Sequence, residues 1–570
     1  MRSRFTVGAA AAFVFGLAAL SAQVSAAFGE APPARSKRGM VVAATRESAE
    51  AGTRALAAGG GAVDAAIAAA FALAVSYPQA GNLAGGGFAV VRTAEGGLFA
   101  LDFRETAPAG TWRNTYLDAR GATRPLASRY GGLAVATPGT VRGLEALHGR
   151  FGRLPWARLV APAIALARNG YRVPSGLARE LAEAPIRRIL SHDPEAVRLF
   201  YPHGEPVAAG ALLVQPDLAA TLEAIASRGA DGFHRGEIAS RIAEFVRATG
   251  GVLTAADLAG YAPSWRIPFA FDYGGFRLVT MPSPSSGGFL LASILGQLRF
   301  ARGDISSRDT PETIHLIVEA ERRAYADRNR FLGDADCVDV PLARLLAPAR
   351  LARLGFTIDP ARATPSRQIT GGAWPGERDQ TTHLSTATAD GDAVALTYTL
   401  NDTFGNGAIV PGVGVFLNNE MDDFSVVPGT ANMYGLVQGE ANAVRAGGRP
   451  LSSMSPTIVL EDGRPRFVLG SPGGPTIPTT VLQVFLNAGP RGQPLADAVA
   501  APRFHHQHLP DRIDLEPGVF PDDVREALRA KGHALHTGGR LGIVHAIAFE
   551  KDGTLTGVAD PRGYGVAAGP

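Results

Sequence analysis

The sequence has little of several features that would point to particular protein classes. Only one of its 570 residues is a cysteine, Cys337, so no disulfide can form within the chain and its stability must come from a packed core. The formal net charge is only +3 and the arginines are scattered, which argues against a nucleic-acid-binding protein. No internal repeat or low-complexity block is present, and the 46% hydrophobic and 19% charged composition is that of a globular protein.

One apolar stretch has the character of a targeting segment. The chain begins MRSRFTVGAAAAFVFGLAALSAQVSA, with a basic start, an apolar run over residues 7–20 and a small-x-small signal at residues 24–26. The run is short for a membrane span, which needs about 20 apolar residues. The pattern therefore predicts a signal peptide over residues 1–26 and export, with the periplasm as the expected compartment and secretion to the medium as an alternative.

The chain changes character near residue 380. Helical spacing dominates before it, including an alanine-rich run at 62–75 that has the length of a buried core helix. Residues 358–380 combine proline, glycine and charge without apolar periodicity, which predicts an exposed loop of the kind at which chains are cut. Beyond the loop the pattern predicts strands at 382–388, 392–401, 412–418, 457–460 and 467–469, then a helix at 476–489.

The stretch RDQTTHLSTATADG, residues 378–391, starts a strand with a doubled threonine. A threonine hydroxyl is a poor nucleophile unless a base takes its proton. Cutting the chain before Thr381 would supply that base, because the new α-amine has a pKa of about 7.7–8.0. The alternative is an ordinary threonine-rich edge strand.

The turn that follows leaves two pairings open. A two-residue turn at 390–391 would place Thr381 opposite Leu400, whereas a three-residue loop at 389–391 with Gly391 in the left-handed conformation would place it opposite Thr399. Turn chemistry alone does not choose between them.

Ten motifs along the chain resemble those of the gamma-glutamyltranspeptidases, which are N-terminal-nucleophile hydrolases. They occur in the family's order and cover residues 39–565: NLAGGGFAVV, LDFRETAPA, MPSPSSGGF, YADRNRFLGD, TTHLS, TYTLNDTFG, LNNEMDDFS, RPLSSMSPT, GSPGGPTIP and APRFHHQHLPD. The resemblance implies an α+β fold, the αββα four-layer sandwich. It also implies a precursor cut between Gln380 and Thr381 into a helix-rich large subunit, 27–380, and a β-rich small subunit, 381–570, which stay associated as a heterodimer.

The resemblance also implies the reacting groups. Thr381 matches the nucleophile of both self-cleavage and catalysis, and Thr399 matches the threonine that supports it, which favours the three-residue loop. The amides of Gly473 and Gly474 match the oxyanion hole, where two donors stabilise the charge that forms on the attacked carbonyl.

The donor's γ-glutamyl group carries a carboxylate and an ammonium, and the resemblance implies partners for each. Arg104 matches the carboxylate clamp, a role that suits a bidentate guanidinium. Ser452 and Ser453 match hydroxyls that bind the carboxylate. Asn401, Glu420 and Asp423 match the groups that bind the ammonium. Tyr434 matches a residue of a lid over 425–450.

The expected activity is that of a gamma-glutamyltransferase and glutathione hydrolase acting on glutathione and other γ-glutamyl peptides, with water, amino acids or peptides as acceptors. A cephalosporin or glutaryl acylase of the same fold, or an uncleaved inactive homologue that serves as a binding protein, are the alternatives. No cofactor, metal, nucleic acid or membrane span of the processed protein is expected. The stretch HHQH at 505–508 lacks a third ligand at a metal-site spacing, and His383 is expected to have a structural or supporting role.

Overall fold

The computed structural model describes residues 32–369 and 381–570. The predicted signal peptide at 1–26 and Gln380 of the predicted cleavage site lie outside these residues. The strands of the described ranges, numbered in chain order, are β1 Ala34–Ser36, β2 Gly39–Ala43, β3 Gly86–Arg92, β4 Leu98–Phe103, β5 Tyr171–Arg172, β6 Leu212–Leu213, β7 Ser264–Arg266, β8 Phe269–Tyr273, β9 Phe276–Thr280, β10 Thr382–Thr388, β11 Ala393–Thr399, β12 Thr457–Glu461, β13 Arg464–Leu469, β14 Phe504–His505, β15 Ile513–Leu515, β16 Leu535–Thr537, β17 His545–Phe549, β18 Leu555–Ala559 and β19 Val566–Ala568.

Helices are concentrated before residue 369, and three follow residue 381. The α-helices of these two ranges are α1 Arg46–Ala57, α2 Ala62–Ser76, α3 Thr140–Phe151, α4 Trp156–Asn169, α5 Ser175–Ala182, α6 Ala184–Leu190, α7 Pro194–Phe200, α8 Pro216–Arg228, α9 Asp231–His234, α10 Gly236–Ala248, α11 Ala255–Gly260, α12 Gly287–Leu298, α13 Pro311–Phe331, α14 Leu342–Leu345, α15 Pro348–Phe356, α16 Thr476–Ala488, α17 Leu495–Ala500 and α18 Asp522–Ala530.

Two seven-stranded antiparallel sheets form the centre of the molecule. Their strand orders are β1-β18-β17-β13-β12-β9-β8 and β19-β2-β10-β11-β3-β4-β7. Side chains alternate along β2, so Met40 and Val42 pack towards the other sheet while Val41 packs under α1 and α2. Helices α12, α13 and α16 cover the outer face of the first sheet. The result is the αββα sandwich predicted from the motifs.

Both sheets combine strands from the two sides of position 381. In the second sheet, β10 and β11 lie between β2 and β3, and in the first sheet β12 pairs with β9. The parts before and after Thr381 therefore share one core rather than forming separate domains.

Helix α2 confirms the prediction of a buried core helix at 62–75. All fifteen of its residues are buried. The Asp64 carboxylate lies in its first turn and accepts hydrogen bonds from the amides of Gly61 at 2.8 Å, Arg153 at 3.0 Å and Leu154 at 3.1 Å. The carboxylate thus satisfies the Gly61 amide, which the helix itself leaves unpaired, and also ties the start of α2 to the segment after α3.

The hairpin between β10 and β11 has the three-residue loop. Thr382 pairs with Tyr398 and Ala387 with Ala393, and this register continued by one residue places Thr381 opposite Thr399. The Thr388 amide donates to Asp392 O at 2.9 Å, and Gly391 has a φ of +97°. The two-residue turn is excluded.

The prediction of a strand at 412–418 is wrong. Gly412 and Gly414 have φ values of +69° and +74°, and the Gly414 amide donates to Val410 O at 2.9 Å, so the chain turns where a strand would have to extend. Only an isolated bridge between Ile409 and Phe416 is formed there. Within the two described ranges, no helix has both the length and the apolar character needed to cross a membrane.

The hairpin loop gives a first testable prediction. Gly391→Ala should lower the stability by about 1–2 kcal/mol, because an L residue pays that much in the left-handed region. The expected result is a lower melting temperature in a thermal unfolding experiment. Gly149→Ala is a matched control, since Gly149 lies within α3 with no atom within 4 Å of an added Cβ and should be neutral or stabilising. Equal melting temperatures of Gly391→Ala and the unmodified protein would contradict this account of the loop.

Candidate active site

Thr381 lies directly before β10 at the edge of a buried pocket. Its residue is 5% exposed, and its hydroxyl donates to the Thr399 hydroxyl oxygen at 3.4 Å. The Thr399 oxygen also accepts from the Asn401 amide at 2.8 Å. The end of β11 therefore fixes the position of the hydroxyl beside Thr381.

The pocket collects nearly all the residues predicted from the sequence. Gly473 is the exception, since it adjoins the pocket through Gly474 without lining it. The predicted residues that line it are Arg104, Thr381, Thr399, Asn401, Glu420, Asp423, Tyr434, Ser452, Ser453 and Gly474. Five further lining residues were not predicted: Arg328, Leu436, Met454, Pro475 and Ile477.

Short irregular segments at the ends of strands present the polar groups. Arg104 follows β4 directly, and Asn401 follows β11 with a φ of +77°. Glu420 and Asp423 lie on one turn of 3₁₀ helix, which turns both carboxylates towards the same guanidinium. Ser452 is held because its main chain bonds to the segment at 284–286.

The Arg104 guanidinium is the centre of a buried charge cluster. It forms a very short ion pair with Glu420, a second with Asp423 at 2.5 Å, and lies 3.7 Å from Glu105. Its Nε donates to Pro450 O at 3.2 Å. Burial by itself would lower the pKa of Arg104, but Glu420, Asp423 and Glu105 outweigh it and raise this pKa above its usual value. The arginine therefore stays charged.

Two of the carboxyl groups in this cluster hold their protons more tightly than usual. Burial raises the pKa of Glu105 to about 7, against the opposing effect of Arg104. Burial likewise raises the pKa of Glu420 well above its usual range, and the neighbouring Glu105 adds to this effect. Three carboxyl groups around one guanidinium cannot all be ionised cheaply out of water, so the cluster retains protons near neutral pH.

The loop between β13 and α16 presents two glycine amides. Gly473 and Gly474 have φ values of +135° and +51°. Among the residues that the structure describes, neither amide donates a hydrogen bond. A Cβ at Gly474 would meet the Tyr434 ring at 3.0 Å, so the close approach of the ring requires glycine there. Free amides in this position are suited to stabilising a developing oxyanion.

The segment 425–450 closes over the pocket through Tyr434. The Tyr434 hydroxyl lies 2.6 Å from the main-chain oxygen of Asn401 and 2.7 Å from its Oδ1. Ser425 bonds to Asn442 at 2.8 Å, and the Asn442 side chain donates to Asp423 O at 2.7 Å. The segment is thus fastened to the same turn that carries the acidic residues.

The histidines singled out in the sequence lie outside the pocket. The His383 ring is buried between Thr397 Oγ1 at 2.8 Å and Ser385 Oγ at 3.0 Å, within the sheet. His505 bonds to Thr479, and His508 bonds to Ile369 O at 2.8 Å. Across residues 32–369 and 381–570, no group of three or more potential ligands is arranged to hold a metal ion.

Solved structures share this architecture over most of the chain. A cephalosporin acylase from Bacillus halodurans superposes with a TM-score of 0.84 at 29% identity, covering 95% of this chain and 97% of the other. A gamma-glutamyltranspeptidase chain from Helicobacter pylori gives a TM-score of 0.57 at 39% identity, covering 61% of this chain and 100% of its own. The αββα sandwich and the threonine at the head of β10 give this chain the architecture of the N-terminal-nucleophile hydrolases.

The sequence comparisons narrow this class to one family. The family model described as Gamma-glutamyltranspeptidase matches residues 48–570. The glutathione hydrolase proenzyme of Escherichia coli (strain K12) is 44% identical over 531 residues, 93% of this chain and 91% of that protein. This chain belongs to the gamma-glutamyltranspeptidase family. The family, the fold and the enzyme class predicted from the motifs are confirmed.

The raised pKa of Glu105 predicts a pH-dependent change in stability. With a folded-state pKa of about 7 and an ordinary value of 4.5, the stability that this group contributes is complete below its ordinary pKa and is lost as the pH rises through 7. Glu105→Gln removes this loss. The melting temperature of the variant relative to the unmodified protein should therefore rise between about pH 5 and about pH 8.

Glu526→Gln, an exposed position on α18, is the matched control and should show no such trend. A melting-temperature difference between Glu105→Gln and the unmodified protein that stays constant with pH would rule out a buried, protonated Glu105.

Proposed function

We propose that this protein is a gamma-glutamyltransferase and glutathione hydrolase that cuts its own chain before Thr381. One observation carries the proposal. The Thr381 hydroxyl opens onto the same pocket as a guanidinium, two carboxylates, two serine hydroxyls and a glycine amide, which are the complementary groups for a γ-glutamyl amide. Membership of the family supports it.

The chemistry requires one acyl transfer to Thr381 and one away from it. The hydroxyl oxygen attacks the carbonyl carbon of the γ-glutamyl amide, and the amides of Gly473 and Gly474 stabilise the oxyanion. The α-amine of Thr381 takes the hydroxyl proton and passes it to the leaving amine as the carbon–nitrogen bond breaks. Water or an amino acid then attacks the resulting ester and frees Thr381.

Recognition of the donor follows from the charges in the pocket. The α-ammonium is proposed to bind Glu420 and Asp423 with the help of Asn401, and the α-carboxylate to bind Arg104. Ser452 and Ser453 supply hydroxyl donors to the same carboxylate, while Tyr434 covers the bound group. Asp423 in direct contact with Arg104 favours a zwitterionic donor over the dicarboxylic acyl groups taken by acylases of this fold.

The cellular setting belongs to the same proposal. Residues 1–26 serve as a signal peptide and the protein works in the periplasm. Cleavage between Gln380 and Thr381 leaves subunits of residues 27–380 and 381–570, which remain associated because both central sheets contain strands from each. Glutathione and related γ-glutamyl peptides are the proposed donors.

Substitution of Thr381 tests the function directly. Thr381→Ala should stay a single chain on a denaturing gel and release no aniline from a γ-glutamyl-anilide, because it lacks the nucleophilic oxygen. Thr381→Ser, which keeps the hydroxyl, is the matched control and should retain both self-cleavage and part of the activity. Intact mass identifies the cleavage point.

A glutaryl-anilide, which lacks the α-amine, separates the alternatives. The proposal expects at least about 100-fold lower kcat/KM for this substrate, as for the loss of a charged hydrogen-bonded contact. Faster release from the glutaryl substrate would identify an acylase. An intact chain without activity in the unmodified protein would identify an inactive homologue.

A further inference from the structure

Arg328 is a second guanidinium in the pocket that the proposed chemistry has not used. It lies near the end of α13 and is 1% exposed, yet it lines the same pocket as Thr381. Its Nη2 donates to Ser453 Oγ at 3.4 Å, its Nε to Ser286 Oγ at 3.4 Å and its Nη1 to Asn329 Oδ1 at 3.1 Å. All three acceptors are uncharged.

The other fully buried arginines have a carboxylate partner. Arg104 pairs with Asp423 at 2.5 Å, Arg322 with Glu319 at 3.2 Å and Arg503 with Asp560 at 2.5 Å. Within residues 32–369 and 381–570, no carboxylate forms an ion pair with Arg328, and Asp423 acts on its charge only from beyond 4 Å. A buried charge without a counter-charge is strongly unfavourable.

Arg328 nevertheless remains a cation. Burial lowers its pKa to about 10, which still leaves it protonated at neutral pH. The helix and the Asn329 side chain hold the guanidinium behind Ser453, facing the pocket. The charge of Arg328 is therefore complementary to an anion held at the hydroxyls of Ser452 and Ser453.

Arg104 alone is a weaker source of positive charge for an anion at these hydroxyls. Asp423 already pairs with it directly at 2.5 Å, so the protein itself compensates the charge of Arg104. We infer that Arg328, which contacts Ser453, provides the counter-charge for the α-carboxylate of the donor. Arg328 thereby determines the specificity for donors that carry a carboxylate on that carbon. This inference rests on the proposed function of the pocket.

The test compares two donors that differ only in this carboxylate: γ-glutamyl-p-nitroanilide and 4-aminobutyryl-p-nitroanilide. Arg328→Gln should reduce the ratio of their kcat/KM values by about 30-fold or more, with the loss appearing in KM of the glutamyl donor, because a desolvated charge pair is removed. Arg328→Lys keeps the charge, so its ratio should lie between those of Arg328→Gln and the unmodified protein. Arg330→Gln, an exposed arginine of the same helix, is the matched control and should leave the ratio unchanged.

Self-cleavage reports on folding in each variant, since it needs no donor. Equal losses for both donors, an unchanged ratio in Arg328→Gln, or failure of both Arg328 variants to cleave themselves would overturn the inference and make Arg328 structural. Release of nitroaniline from neither donor by the unmodified, cleaved protein is a different result: it would reject the proposed function, and this inference with it.

Discussion

The pairing of β10 with β11 is the constraint on which the site depends. Because side chains alternate along a strand, a slip of one residue would turn Thr381 towards the opposite face and remove it from Thr399. The three-residue loop with Gly391 at positive φ fixes this register at one end, and β2 and β3 hold the hairpin on both sides. The same pairing places Asn401 where it can bond to the closing Tyr434.

A second constraint is the burial of charge around the pocket. Three carboxyl groups surround Arg104, and Arg328 lies nearby with hydrogen-bond partners that are all neutral. A zwitterionic ligand suits this arrangement, because its ammonium meets the acidic side and its carboxylate meets the side that carries excess positive charge. The donor would complete the electrostatics of the site, which explains why so many ionisable groups are tolerated out of water.

Much of the site was predictable, since motifs such as LNNEMDDFS and RPLSSMSPT identify residues that converge in one pocket. The periodicity also predicts β10 and α2 well, because strong alternation and a continuous apolar run leave few alternatives. Arg328 was missed because α13 is rich in charge, and such a helix taken alone reads as solvent-exposed although its charged face is buried. The prediction of a strand at 412–418 was wrong because it followed the apolar residues of this segment. The positive φ of Gly412 and Gly414, which interrupts the strand, is seen only in the folded chain.

The most direct measurement is the site of covalent attachment during turnover. The purified protein is mixed with a γ-glutamyl-anilide, quenched in acid and mapped by peptide mass spectrometry. We expect one γ-glutamyl group on the fragment whose first residue is Thr381, attached to that threonine as an ester. A γ-glutamyl group on another residue, or turnover by a chain that still has Gln380 bonded to Thr381, would contradict the role of Thr381 as an N-terminal nucleophile.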